Sequence, residues 1–571
     1  MPLTALCRLS AALMVLALAV PAEAQEEPKG SAGAFLAARV AASENDFREA
    51  AQWYDRLIDT GVNDPATLEG AVIAHLSLGE MEQAAEQARL LVQKGGRSQT
   101  GFIALLADQA KREDYAGLIA DIKAGRTVGK LMDDLVLAWA ALGEGRMSDA
   151  VGAFDTIAKA QGLEAFGLYH KALALASVGD FEGADAILSG REAGTIALMR
   201  RGAIAHAQVL SQLERNADAL ALLDQAFGGG PDLQIDALRA RLKAGEPVPF
   251  DIVRNAQDGI AEVFYTLASA LRGEAEDGYT LIYARVTVHL RPDHTEAKLM
   301  AAGLLEAVGQ PGLAGETYAE IPPEDPAYHV AEIGRADTLI AEGKVDAALE
   351  VLTALTKSHG QMIEVQSALA DALRREERFA EAIPVYTAAI DLIPVAEQRH
   401  WTLFYSRGIA NERAGNWPQA EADFRKALEL QPDQPQVLNY LGYSFVDRGE
   451  NLDEALGMIE RAVAAQPEAG YIIDSLAWAL FRLGRYDEAV EPMERASLLE
   501  PVDPVVTDHL GDVYWAVGRK LEARFQWHRA LSFDPEEKEA KRIRRKLEVG
   551  LDAVLAEEGA KPLTEVANGG N

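Results

Sequence analysis

A period of 34 residues runs through this chain. Toward the C-terminus, prolines stand at Pro432, Pro467, Pro501 and Pro535, spaced 35, 34 and 34. Alanines at Ala420, Ala455, Ala489 and Ala523, and again at Ala427, Ala462, Ala496 and Ala530, keep those spacings. Glycines at Gly415, Gly449, Gly484 and Gly518 follow 34, 35 and 34, so the added residue lies between Gly449 and Ala455. Registers that slip together belong to one repeating unit. Upstream, Pro292, Pro326, Gly360 and Pro394 are each 34 apart, and the wider gap of 38 to Pro432 places an insertion near residues 395–400. Weaker copies surround Ala50, Ala84, Ala150 and Ala219, while GEPVPF at 245–250 breaks the period with two prolines and reads as a joint.

A repeat of this length is one supersecondary unit that cannot bury its apolar face alone, so neighbours must stack into a continuous core. In the unit from Trp401 to Asp433, apolar and small residues recur at helical spacing on both sides of Gly415. Gly415 permits a tight turn between two antiparallel helices. Gly408 and Ala420 are small where helices must approach closely, Phe424 fills the space between pairs, and Pro432 ends the second helix. The expected fold class is all-α.

The unit that starts at Pro504 carries Leu510, Gly511, Tyr514, Gly518, Ala523, Trp527, Ala530 and Pro535. This pattern resembles the tetratricopeptide repeat family, over about residues 31–537 and most specifically over 261–537. The resemblance implies an α-solenoid, a right-handed superhelix of antiparallel helix pairs. The expected organisation is a degenerate N-terminal array at 31–244, a joint at 245–260 and a well-formed C-terminal array at 261–537. A capping helix at 538–557 and a flexible tail at 558–571 complete it. Ile543, Leu547, Leu551 and Leu555 recur every four residues, which suits a cap over the exposed end of the core.

The first 24 residues read as a signal peptide: Arg8, an apolar stretch from Leu9 to Val20, then Ala22-Glu23-Ala24 for cleavage after Ala24. That stretch is short of the ~20 apolar residues that span a bilayer. The lone cysteine, Cys7, precedes the apolar stretch, so it supports neither lipid acylation nor a disulfide framework or Cys-based zinc site. An exported, periplasmic chain without a transmembrane segment is expected. The formal charge of −33, from 88 acidic and 55 basic residues, argues against nucleic acid as a partner, because phosphate contacts need clustered Lys and Arg.

Catalytic and metal-binding spacings are not found, so neither an enzyme nor a cofactor is expected. His289 and His294 flank Arg-Pro in a turn and are expected to face solvent. His509 lies in a well-matched repeat helix, where packing or surface roles are expected. Gly95-Gly96 and Gly228-Gly229-Gly230 lack the flanking residues of a phosphate loop and read as turns.

In the family pattern, positions 2, 5, 9, 12 and 13 of each repeat face a concave groove. Carried onto this chain, those positions include Asn439, Tyr443, Val446 and Asp447, then Tyr471, Asp474, Trp478, Phe481 and Arg482, then Asp508, Asp512 and Trp515. Aromatic rings held in water are typical interface anchors, so these residues are expected to form a partner-binding groove. Asp474 and Asp508 stand at position 5, where a peptide's terminal carboxylate would be repelled. The expected partner is therefore a protein or extended peptide segment, basic or apolar in character. Lys541, Arg542, Arg544, Arg545 and Lys546 form a basic run that reads as a solvated face, with contact to an anionic surface such as a membrane or an acidic partner as the sharper alternative.

Residues 439–531 also resemble envelope repeat proteins of Gram-negative bacteria. Some of those are adaptors that deliver substrates to carboxyl-terminal processing proteases. The resemblance implies a scaffold or adaptor, with an assembly component of a secretion, pilus or polysaccharide-export complex as the alternative.

Overall fold

The computed structural model describes residues 31–191, 199–229, 232–560 and 563. The expected signal peptide lies outside the described residues, as does most of the expected tail. Among the described residues there are 31 α-helices, one 3-10 turn at Gln398–His400 and no strand. The fold is all-α. Two compact units, residues 1–351 and 352–571, divide within the helix Val345–His359. The expected joint at 245–260 therefore falls inside the first unit and not between the two.

Local chemistry starts and stops the helices. Asp64 accepts the backbone N–H groups of Ala66 and Thr67 at 3.0 and 3.3 Å, and Pro65 opens the helix behind it. Asp503 and Pro504 do the same for Pro504–Ala516. Gly415 and Gly518 take φ of +81° at the turns inside their pairs, a conformation that other residues adopt only with strain.

In the first unit, helix pairs run from Ser31–Ser43 with Phe47–Asp59 to Arg200–Gln212 with Asn216–Phe227. The chain then doubles back. Helices Ala256–Leu271 and Asp277–Leu290 pack against the first helices of four earlier pairs, Pro65–Leu78, Gln99–Lys111, Lys130–Gly143 and Glu164–Ser177. The first three of these are apolar nearly all round, as a helix covered on both sides must be. Lys130–Gly143 buries Leu135, Val136, Trp139 and Ala140 completely. The inserted helix passes so close that a Cβ on Gly259 would lie 2.2 Å from the Trp139 ring.

Polar side chains inside this unit are paired across the insertion. Arg201 donates to Glu262 at 2.9 Å, and the Tyr169 hydroxyl donates to it at 2.8 Å. Burial opposes ionisation of Glu262, yet the Arg201 guanidinium holds its carboxyl far below the usual range. Trp139 donates from Nε1 to His170 Nδ1 at 3.2 Å, and the other ring nitrogen meets Thr266 at 3.2 Å. Burial holds His170 down at about 4. His294 corrects the expectation of a solvent-facing pair. It is 1% exposed, and its Nδ1 accepts the Ala297 N–H to cap Thr295–Ala307. His289 is half-buried beside Lys111, which donates to its carbonyl at 2.8 Å.

In the second unit, pairs follow one another in register. Trp401–Arg413 pairs with Trp417–Leu430, Pro435–Arg448 with Leu452–Ala465, Gly470–Arg482 with Tyr486–Leu499, and Pro504–Ala516 with Lys520–Leu531. The repeat positions Ala420, Phe424 and Ala427, and their counterparts Ala523, Trp527 and Ala530, have no exposed surface. The expected capping helix is two helices, Glu537–Val549 and Leu551–Glu557, because Gly550 at φ +86° turns the chain under Trp515.

Candidate functional site

Three first helices of the second unit carry all the residues singled out as a groove. The structure sorts them into a packed set, an ion-paired set and an open set.

Trp478 stacks flat on His509 with centroids 4.0 Å apart, and on Phe481 at 4.8 Å. His509 Nδ1 lies 3.0 Å from Asp474. Burial alone would lower the His509 pKa, but the Asp474 carboxylate outweighs it and holds it above the ordinary value. All four side chains are buried. Trp478, Phe481 and Asp474 thus join helix Gly470–Arg482 to helix Pro504–Ala516, where exposed anchors were expected. Val446 is fully buried as well. Trp515 is half-covered: its Nε1 donates to Asp552 at 2.7 Å, and Lys520 sits 4.8 Å from the ring centroid.

Asp508 and Asp512 meet the chain's own terminal helix. Lys546 has no exposed surface, and its ammonium donates to Asp508 Oδ2 and to both oxygens of Asp512, each at 2.7 Å. Trp527 Nε1 adds a bond to Asp512 at 3.0 Å. The rest of the basic run is paired too. Arg542 is bound to Glu558 at 2.8 Å, and Arg545 to Glu557 at 2.6 Å and Glu548 at 3.1 Å. Lys541 and Arg544 lie 3.6 and 3.8 Å from Glu537. Acids interleaved with the run thus pair with it, and its last member, Lys546, is inside the protein.

The open set is smaller. Tyr471 is 48% exposed, Asp447 and Arg482 are exposed, and Tyr443 is half-buried. Burial pushes the Tyr443 phenol up to about 12, with Asp474, Asp447 and Glu539 adding to it. On the same helix face, Asn439 Oδ1 and Gln436 Oε1 are buried without a hydrogen-bond partner. Gln436 occupies position 2 of its repeat, so the positional rule that selected Asn439 would also have selected it. Glu539 was missed for a different reason: the terminal helix has no repeat signature to number it by. Among the described residues no group of histidines and acids is arranged to hold a metal ion, and no helix is long and apolar enough to cross a membrane.

Residues 333–397, 405–470 and 441–498 match the family model described as tetratricopeptide repeat. A TPR repeat-containing protein of Pseudomonas aeruginosa is 27% identical over 171 residues, 30% of this chain and 28% of that protein. Cellulose synthase operon protein C of Pseudomonas fluorescens is 23% identical over 479 residues, 78% of this chain and 35% of that protein. The chain thus spans about a third of the length of these curated relatives. Among solved structures, the APC/C hetero-tetramer Cut9–Hcn1 is similar at 14% identity, with a TM-score of 0.38, over 91% of this chain and 96% of that one.

Proposed function

From its tetratricopeptide repeats, we propose that this chain is a non-enzymatic scaffold that holds an extended segment of a partner protein on the first-helix face of its second unit. Repeats of this type bind proteins or peptides. The observation that carries the reading is the pair of orphaned carboxamide oxygens, Gln436 Oε1 and Asn439 Oδ1, on the helix of Tyr443, which packs against the helix that carries exposed Tyr471. Buried polar atoms nearly always have partners, and a backbone N–H of an extended segment supplies one. The tyrosines offer rigid apolar area with a polar tip. In the first unit, helices 256–290 cover four of the corresponding first helices.

The compartment we infer is the periplasm, from the leader-like segment at 1–24. Within an envelope, presenting substrates to a protease is the narrower role. The second reading, an assembly component of an envelope complex, is favoured by the likeness over 78% of this chain to a protein named for a cellulose synthase operon.

The test is photo-crosslinking in intact cells with a photoreactive residue in place of Tyr471, followed by mass spectrometry. One protein should crosslink reproducibly, and the tagged chain should begin at Gln25. Asn439→Ala with Tyr471→Ala should weaken binding of that protein about tenfold, the loss of about 1.4 kcal/mol, without loss of helicity. Unchanged affinity in the double variant removes this face as the binding site.

A further inference from the structure

We propose that the cleft where the last repeat meets the terminal helix is a pocket for one basic side chain, arginine or lysine, of the bound segment. The proposal rests on the reading above and gives that segment a chemical requirement. The cleft has a volume of about 290 Å³ and is lined by Val505, Asp508, His509, Glu539, Arg542 and Ile543, among others.

Three observations set its chemistry. First, Asp508 is only half satisfied: Oδ2 accepts from Lys546 at 2.7 Å, whereas Oδ1 is buried with no donor. An orphaned oxygen on a buried carboxylate is costly, and a cationic donor is the partner that relieves it best. Second, two cations line the cleft, Lys538 and Arg542, and neither fills this role: Lys538 makes no ion pair among the described residues. Arg542 is drawn off by Glu558 at 2.8 Å and stands 3.8 Å from Asp508, beyond hydrogen-bonding distance. Third, Glu539 adds a second carboxylate on the wall, with no cation within 4.0 Å of it among the described residues.

Val505 and Ile543 provide apolar walls against which the methylene stem of a long basic side chain can lie. Burial and the neighbouring Asp512 push the Asp508 carboxyl above its ordinary range, more than Lys546 draws it down. A second cation would reverse that push. An anionic side chain or a terminal carboxylate would meet Asp508 and Glu539 and be repelled.

The experiment probes an immobilised array of random decapeptides with the labelled whole chain, as wild type, Asp508→Asn and Glu539→Gln. Asp512 still holds Lys546 through both oxygens in Asp508→Asn, and circular dichroism verifies the fold of each variant. Peptides retained by the wild type should be enriched in arginine or lysine at one position. In solution, replacing that residue by norleucine should weaken binding about tenfold, the effect of losing one charge-assisted hydrogen bond. Asp508→Asn should weaken the basic peptide to a similar extent and leave the norleucine peptide unchanged, a coupling that a merely structural role would not produce. Retained peptides without a basic preference, or a preference unchanged in both variants, overturn the pocket and leave the binding face standing. If the wild type retains no peptide, the binding face fails and the pocket with it.

Discussion

A lysine with no exposed surface decides how this chain ends. Lys546 is surrounded by Asp508, Asp512 and the Trp527 ring, whose centroid is 5.8 Å from the ammonium. Removing one partner of a buried ion pair leaves the other charges uncompensated, which costs about 3–5 kcal/mol. Lys546→Met should therefore lower the stability of the second unit by about that amount in urea denaturation, and Asp512→Asn in the same chain should recover part of it. An equal loss in the single and double variants would mean that the methylene stem, not the charge, holds the terminal helix. In the sequence, Lys546 is one member of a five-residue basic run, with nothing to separate it from Lys541 or Arg544. Its partners lie 34 and 38 residues earlier in the chain, so only packing reveals the choice. The same holds for Trp478 and Trp515: position in the repeat places them on a face, but stacking on His509 and the turn at Gly550 decide what covers them.

Among the elements, the helix Ala256–Leu271 departs most from the expectation of a uniform stack. It begins within the stretch read as a joint, yet it packs against Lys130–Gly143 and joins the core of the first unit. The close approach of Gly259 to Trp139 is the contact that a small change can test. In Gly259→Ala the added methyl would overlap a fully buried indole, and overpacking of this kind costs about 1–3 kcal/mol. The variant should show a lower melting temperature and faster proteolysis in the segment 244–255, with the second unit unaffected. Identical proteolysis in variant and wild type would show that the helix has room to shift. The signal for this insertion was present but faint. First helices such as KLMDDLVLAWAALG lack a polar side, which marks a helix covered on both faces, but no local feature says what does the covering.

For the molecule as a whole, the two units differ in how their contacts are distributed along the chain. The first is tied together by bonds between distant residues, among them Arg285 to the Ser77 carbonyl and Arg48 to Glu316. The second is built from pairs that touch their neighbours in sequence. Nearest-neighbour arrays lose structure progressively, whereas long-range closure couples distant helices. Hydrogen exchange should show one common opening for the helices from Pro65–Leu78 to Asp277–Leu290, and graded protection that falls toward the chain end in the second unit. Graded protection in both would mean that the inserted pair adds little to cooperativity. The repeat period, the helix pairs and the buried alanine, glycine and aromatic positions were all determined by the sequence alone, because turn chemistry and helical periodicity act over a few residues. The tertiary structure decided which first helices stay open, which carboxylates are neutralised and where the units divide. Those outcomes depend on residues dozens to hundreds of positions apart coming into contact, and a periodic pattern carries no record of which of its equivalent faces will be covered.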